Sequence, residues 1–494
     1  MTNRSDKLVA DARDLAGRGA RLTLVGQLVR TGCNLLGLLV LARLLTPHDY
    51  GLVAMVVAIV GLGEVLRDMG LSTAAVQAPT LTERQRSNLF WMSAGIGFAL
   101  CLAVAFSSPY LATLYGEPAI TGIACGLSTT FLLNGLAAQH RANANRKMQF
   151  GRLVLIDTVP PVASLILAIG LALVNAGAWA LVGQQVATAA IGLALSWLLV
   201  RWLPKLPSRG AGMRPFIGFG APLVGAQILG YVSRSVDTAI MGLRFGPSLA
   251  GLYDRAFQIV MLPIGQFAAP STRVALPALA RHHSDPATMG RLLRKGQAAL
   301  LYPVGGLLAL ILSVAPTGIP LLLGEQWQAA VPFVQVLSLG ALAQTLAYPS
   351  YWAFLSYGQT KANFTYSLVS RPIVIGAILI GSQFGPIWIS IGYSAGLIAI
   401  WPLACYWIRN FPGVDALRLV WDGAWAVVTY FPAVGVSIWL GAVLSDAGAG
   451  LATSFFVGVA AFIVVASIAV LALPRARDAF SLIGRRFIRS RSGA

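Results

Sequence analysis

Apolar residues run along this chain in blocks of about twenty or more, parted by short stretches of Pro, Gly, Asn and charge. A hydrocarbon core of about 30 Å takes around 20 helical residues to cross. The pattern predicts fourteen spans, at 22–45, 52–78, 88–107, 118–138, 153–175, 179–200, 216–244, 252–280, 297–323, 330–356, 362–382, 387–408, 417–444 and 451–473. The connections, among them LTPHDYG, YGEPA, NAGA and FGPSL, leave no room for a sizeable soluble domain. The predicted fold class is therefore an all-α integral membrane protein.

An internal echo organises these spans. At an offset of 200 residues Gln27 meets Gln227, Pro47 meets Pro247, Gly51 meets Gly251 and Leu52 meets Leu252. LTPHDYGL thereby aligns with FGPSLAGL, each joining two long spans after an odd-numbered one. Units of like orientation form two lobes related by a pseudo-two-fold axis along the membrane normal. The expected lobes are 22–200 and 216–408, joined by a cytoplasmic linker at 201–215. A cytoplasmic segment at 1–21 precedes them; two further spans at 409–473 and a basic tail at 474–494 follow.

Composition supports this picture: 57% of the 494 residues are hydrophobic and 11% charged, against about 25% charged in soluble domains. The net charge of +19 raises nucleic acid as a partner, and the placement of the charges excludes it. Of the 36 Lys and Arg, 28 fall on one side of the predicted membrane, two (Arg43 and Arg244) on the other, and six inside spans. The positive-inside rule then puts both termini in the cytoplasm and requires an even number of spans. The opening MTNRSDKLVADARDLAGRGAR is too polar for a signal-peptide core, so the first span is expected to be retained, with the opening lying as an amphipathic helix on the cytoplasmic surface. Cys33, Cys101, Cys125 and Cys405 all sit in apolar segments and read as packing residues.

Against this background, charge inside a span stands out, because a charged side chain at the bilayer centre costs roughly 2.5–3.5 kcal/mol on insertion scales. Span 1 carries Gln27, Arg30 and Asn34 on one helical face, and span 7 repeats the spacing with Gln227, Tyr231 and Arg234. In span 2 Glu64 shares a face with Arg67 and Asp68. At 1.5 Å per residue Arg30 lies roughly 12 Å, and Arg67 and Asp68 roughly 15 Å, from the cytoplasmic end, with Arg371 of span 11 at similar depth. Arg30 is expected to pair with Glu64 or Asp68, and Arg234 with Asp237. Such pairs also occur as plain locks between helices. Arg30, Arg67, Arg234 and Arg371 against Glu64, Asp68 and Asp237 leave a positive excess, suited to an anion such as phosphate. Asp157 and Asp422 are expected at the interface, and His140, His282 and His283 in basic loops.

Chemistry of other kinds lacks a signature. No GxxxxGK[ST] loop, HExxH pair or clustered His/Cys set occurs, and no nucleophile is spaced with a base. The chain is expected to be a transporter with no cofactor, not an enzyme.

ARLLTPHDYGLVAM (42–55), RDMGLSTAAVQ (67–77) and AAQHRANANRKMQFGRLVLID (137–157) resemble the Wzx/WzxC-like polysaccharide flippases of the multidrug/oligosaccharidyl-lipid/polysaccharide exporter superfamily. The likeness is strongest over 20–160. It implies a central cavity opening alternately to the two sides of the bacterial inner membrane, and an undecaprenyl-diphosphate-linked oligosaccharide as cargo. Membrane lipids and the downstream polymerase and export machinery are the implied partners, with H+ or Na+ coupling through Glu64, Asp68 or Asp237 left open. A cation-coupled multidrug exporter and a lipid II flippase are the alternatives within transport. A membrane glycosyltransferase would call for large outer loops, which this sequence lacks.

Overall fold

In the computed structural model residues 25–68, 70–282, 284–473 and 477 are described, with backbone alone at 214–215 and 217–226. The expected surface helix at 1–21, His283 and, Arg477 apart, the basic tail at 474–494 lie outside the described residues. Every element is helical among the described residues, and the chain divides into compact units Met1–Gly251 and Leu252–Ala494.

The first unit holds α1 (Val25–Leu44), α2 (Pro47–Asp68), α3 (Leu71–Gln77), α4 (Glu83–Tyr115), α5 (Ala119–Arg146), α6 (Phe150–Leu173), α7 (Ala178–Val200) and α8 (Arg214–Phe245). The second holds nearly all of α9 (Pro247–Ala280), then α10 (Pro286–Leu323), a 3-10 turn (Glu325–Ala330), α11 (Val331–Leu346), α12 (Tyr348–Ser356), α13 (Thr360–Gly381) and α14 (Pro386–Trp407). α15 (Ala416–Val428), α16 (Phe431–Asp446) and α17 (Leu451–Ala472) complete it. Thirteen stretches of the described residues are long and apolar enough to cross a membrane; α8, 32 residues long, fills the remaining predicted place.

Three predicted spans are each two helices. Span 2 breaks after Asp68, where Gly70 takes φ 66°, a left-handed conformation that glycine enters without steric cost. Span 10 breaks at Ala347, with Pro349 in the first turn of α12, and span 13 breaks before Pro432 in the first turn of α16. Proline cannot donate the backbone bond that would continue the preceding helix, so it starts a new one.

Helices also run past the predicted lipid boundaries where caps allow it. α4 starts at Glu83 because Thr82 and Gln85 form a capping box, and α10 starts at Pro286 behind the Asp285 cap. α5 continues to Arg146, which moves His140 out of the expected loop into a helix. There it is fully buried, stacked on Trp197 at 4.9 Å with Nε2 3.0 Å from the Trp202 carbonyl.

Arg146 fastens the short α3. Its Nη1 donates to the carbonyls of Ala75 (3.0 Å) and Ala78 (2.5 Å), and Nη2 to that of Pro79 (3.1 Å). Seven residues are too few for a helix to persist alone, so the guanidinium satisfies its orphan carbonyls and complements its dipole. Arg146→Ala is expected to lose about 1.5–3 kcal/mol, the worth of a charged hydrogen-bonding group. A lower melting temperature of the detergent-purified protein, only partly restored by Arg146→Lys, checks this.

The segment 201–213 is strapped along α4. Asn88 brackets Ser208, donating to its carbonyl at 2.7 Å and accepting its N–H at 2.9 Å. Ser87 accepts the Lys205 N–H at 3.1 Å, and Trp91 Nε1 donates to the Lys205 carbonyl at 2.9 Å. In the second unit Leu301, Leu346, Tyr430 and Phe462 form a core in which α15, α16 and α17 pack on α10. The Tyr430 hydroxyl donates to the Tyr302 carbonyl at 2.7 Å.

Candidate functional site

The polar stripe of α1 faces outward because the helix packs by a neighbouring face of small residues. Gly26 sits against Val154, Gly37 against Leu165, and Cys33 Sγ donates to the Pro161 carbonyl at 3.3 Å, all on α6. Small side chains let two backbones approach closely in a membrane. Gln27, Arg30 and Asn34 flank this contact and are exposed. Among the described residues Arg30 forms no ion pair.

Next to it lies a cavity of about 440 Å³ within the first unit, walled by α1, α2, α5, α6 and α7. Arg30 and Glu64 both line it, joined by Asn134, Arg141, Asp157 and Gln185. The expected pairing of Arg30 with Glu64 or Asp68 gives way to shorter reaches. Arg67, one turn along the same helix, donates Nε to Glu64 at 2.9 Å, and Asn134 Nδ2 donates to the other carboxylate oxygen at 3.2 Å. Arg67 is only 15% exposed and stands behind Glu64 rather than in the lining. Asp68 accepts a hydrogen bond from Ser72 Oγ at 2.5 Å, across the bend at Gly70. The break in span 2 thus falls directly after its charged cluster; interrupted helices of this kind bound many transporter sites.

Sequence reasoning passed over the lower part of this wall. Asp157, expected at the interface, forms a close ion pair with Arg141, three residues beyond the predicted end of its span at 138. Both line the cavity because α5 extends past the predicted span end. The available signal was Pro160–Pro161, three and four residues after Asp157. Neither proline has an N–H, so the helical bonds that would close on the Ile156 and Asp157 carbonyls are missing, and both residues face the cavity.

The remaining predicted residues lie elsewhere. Tyr231 of α8 donates its hydroxyl to the Val57 carbonyl of α2 at 2.6 Å and sits over Gly61, where a Cβ would stand 2.0 Å from that hydroxyl. Tyr231→Phe is expected to cost about 1 kcal/mol, the net worth of one hydrogen bond, read as a small fall in melting temperature. Gln227 is exposed, Arg234 Nε donates to the Gly230 carbonyl at 3.1 Å, and Asp237 is fully buried, accepting the Thr238 N–H at 2.8 Å. None of these lines the cavity. Arg371 stands half-buried on α13, in the second unit.

Comparison with known proteins extends these findings. A family model described as polysaccharide biosynthesis protein matches residues 40–332. The lipopolysaccharide biosynthesis protein WzxC of Escherichia coli (strain K12) is 25% identical over 387 residues, 76% of this chain and 77% of that protein. The teichuronic acid biosynthesis protein TuaB of Bacillus subtilis (strain 168) is 27% identical over 336 residues, 66% and 69% of the two chains. Among solved structures, the lipid II flippase MurJ in an inward closed conformation superposes with a TM-score of 0.69 at 13% identity, covering 91% of this chain and 98% of that one. At that identity the likeness is one of fold.

Proposed function

The chain belongs to the polysaccharide biosynthesis protein family, and on that premise we propose that it is a transporter that flips undecaprenyl-diphosphate-linked oligosaccharide units. The direction is from the cytoplasmic to the outer leaflet of the bacterial inner membrane, feeding exopolysaccharide, O-antigen or capsule assembly. The 28-to-2 bias of Lys and Arg supports cytoplasmic termini.

One observation carries the reading. An exposed guanidinium with no ion pair among the described residues, Arg30, stands at a partly open cavity of mixed polar and apolar lining within a largely apolar bundle. An intramembrane charge is expensive unless it faces water or a partner. Planar guanidinium binds phosphate oxygens in bidentate fashion, so a diphosphate is the natural counter-charge. In this proposal Arg67, Arg234 and Arg371 add basic character along the substrate path, with Gln27, Asn34, Gln227 and Tyr231 as polar groups on it outside the cavity itself. The expected lobes, 22–200 and 216–408, rock to open the substrate path to either side, while the lipid tail stays in the bilayer. Glu64, Asp68 and Asp237 are the groups through which H+ or Na+ would couple. The polymerase that consumes the product is the expected downstream partner.

Deleting the gene tests the proposal directly. A lipid-linked saccharide should accumulate on the cytoplasmic leaflet, accessible to added glycosidase only in inverted vesicles. Unaltered polysaccharide export from the deletion strain would overturn the assignment.

A further inference from the structure

The cavity in the first unit is built unlike a phosphate site. A diphosphate offers acceptors only, whereas in this wall the charges of Arg30 and Arg141 are matched by those of Glu64 and Asp157. What surrounds the space is a mixture. Arg30, Asn134, Arg141 and Gln185 supply N–H donors; the two carboxylates supply acceptors. Thr188 and Thr130 spend their protons on Ser164 Oγ or the Gln184 carbonyl, and on the Leu127 carbonyl, and keep lone pairs free. The Gln185 side chain forms no hydrogen bond among the described residues although it faces the cavity. Between the polar groups the lining is apolar, with Val57 and Pro161 its more accessible members.

Groups that each donate and accept, arrayed around apolar faces, are what this lining complements. A sugar ring has that character: every hydroxyl is both donor and acceptor, and its C–H faces are apolar. The volume of about 440 Å³ falls in the range of small-molecule pockets, roughly 300–1,000 Å³. We infer that this pocket within the first unit takes the saccharide next to the diphosphate, with Gln185, Thr188 and Asn134 reading its hydroxyls while Arg30 at the edge holds the phosphate. Polar groups that bond a hydroxyl favour a cargo that carries it over one that lacks it; Asn134 and Thr188 are half-buried here and Gln185 exposed. Gln185 and Thr188 are thus specificity residues, separate from the cationic grip.

The inference rests on the flippase reading, and the test separates the two. Full-length protein in nanodiscs is titrated with undecaprenyl diphosphate and with the lipid-linked saccharide extracted from the deletion strain, bound species being counted by native mass spectrometry. Wild type should bind the saccharide-bearing lipid at least tenfold more tightly than the bare one. Gln185→Leu and Thr188→Val should each lose fivefold or more of that preference, with undecaprenyl diphosphate binding kept within twofold; retained binding also certifies the fold. Thr188→Val keeps side-chain shape should Gln185→Leu misfold. Wild-type preference in both variants, or equal binding of the two lipids by wild type, overturns the saccharide pocket and leaves the flippase reading standing. Equal loss of both lipids in the variants assigns the pocket to the diphosphate and overturns the inference likewise. Binding of neither lipid by wild type overturns the flippase reading itself.

Discussion

Arg30→Ala should abolish export of the polysaccharide while the protein reaches the membrane in normal amount. The two halves of this expectation have separate causes. α1 is held by Gly26, Cys33 and Gly37 against α6, whereas Arg30 is exposed and forms no ion pair among the described residues. Removing it takes little from the fold, within about 0.5 kcal/mol as for exposed positions generally. Its loss to the substrate is larger. A charged hydrogen bond contributes about 1.5–3 kcal/mol, and with tenfold per 1.4 kcal/mol one such bond is worth roughly 10- to 100-fold in binding. A bidentate contact in a partly desolvated cavity adds to that. Arg30→Lys should recover part of the activity, since lysine returns the charge without the planar fork. Export measured by extracellular polysaccharide, beside protein level by immunoblot, decides the matter; full export from Arg30→Ala would remove the phosphate grip from this residue. Arg67→Ala is expected to impair export through a different route, by freeing Glu64 from its 2.9 Å bond.

The second large effect is steric. The two turns related by the offset of 200 meet: a Cβ at Gly51 would stand 1.7 Å from the Pro247 carbonyl oxygen, and one at Gly251 1.9 Å from the Pro47 carbonyl oxygen. Each glycine accepts the backbone of the other turn, and no flexible side chain is available to yield. Gly51→Ala or Gly251→Ala must therefore displace main chain. Overpacking typically costs about 1–3 kcal/mol, which for a unit of this size lowers the melting temperature by roughly 2–4 °C per kcal/mol. Valine at either position should abolish export outright. Gly435→Ala is the matched control. No atom lies within 4 Å of its Cβ position, and replacing an exposed helical glycine gains up to about 1 kcal/mol. A thermal melt that failed to separate Gly51→Ala from Gly435→Ala would show that the contact carries no weight.

Those same turns mark how far the sequence reaches. Pro47 and Gly51 align with Pro247 and Gly251 in the sequence, but only the fold places one turn against the other. The charged cluster behaves alike. Glu64, Arg67 and Asp68 stand out from the apolar run because their cost in lipid is large, so the presence of a polar site is legible. Their partners are not. The sequence offers Glu64 or Asp68 to Arg30 on grounds of depth, whereas Arg67 reaches Glu64 from one turn away, Asn134 completes the shell, and Asp68 takes Ser72. Arg141 and Asp157 are 16 residues apart and lie at the ends of different helices; their meeting depends on how far α5 runs past the lipid boundary. That extension follows from burial of Gln139, His140 and Asn143 against neighbouring elements, and no local pattern reports it.

What the sequence alone determined is set by solvent. Apolar block length, the one-sided distribution of Lys and Arg, and the expense of charge in hydrocarbon act residue by residue, and they yield a multi-pass helical transporter with polar groups at depth. Tertiary structure decided which of those groups share a cavity, which pair with each other, and where spans 2, 10 and 13 break. These depend on helix rotation and close approach, fixed by glycine and proline contacts between segments far apart in the chain. Hydropathy is a property of single side chains; a binding site is a property of their juxtaposition.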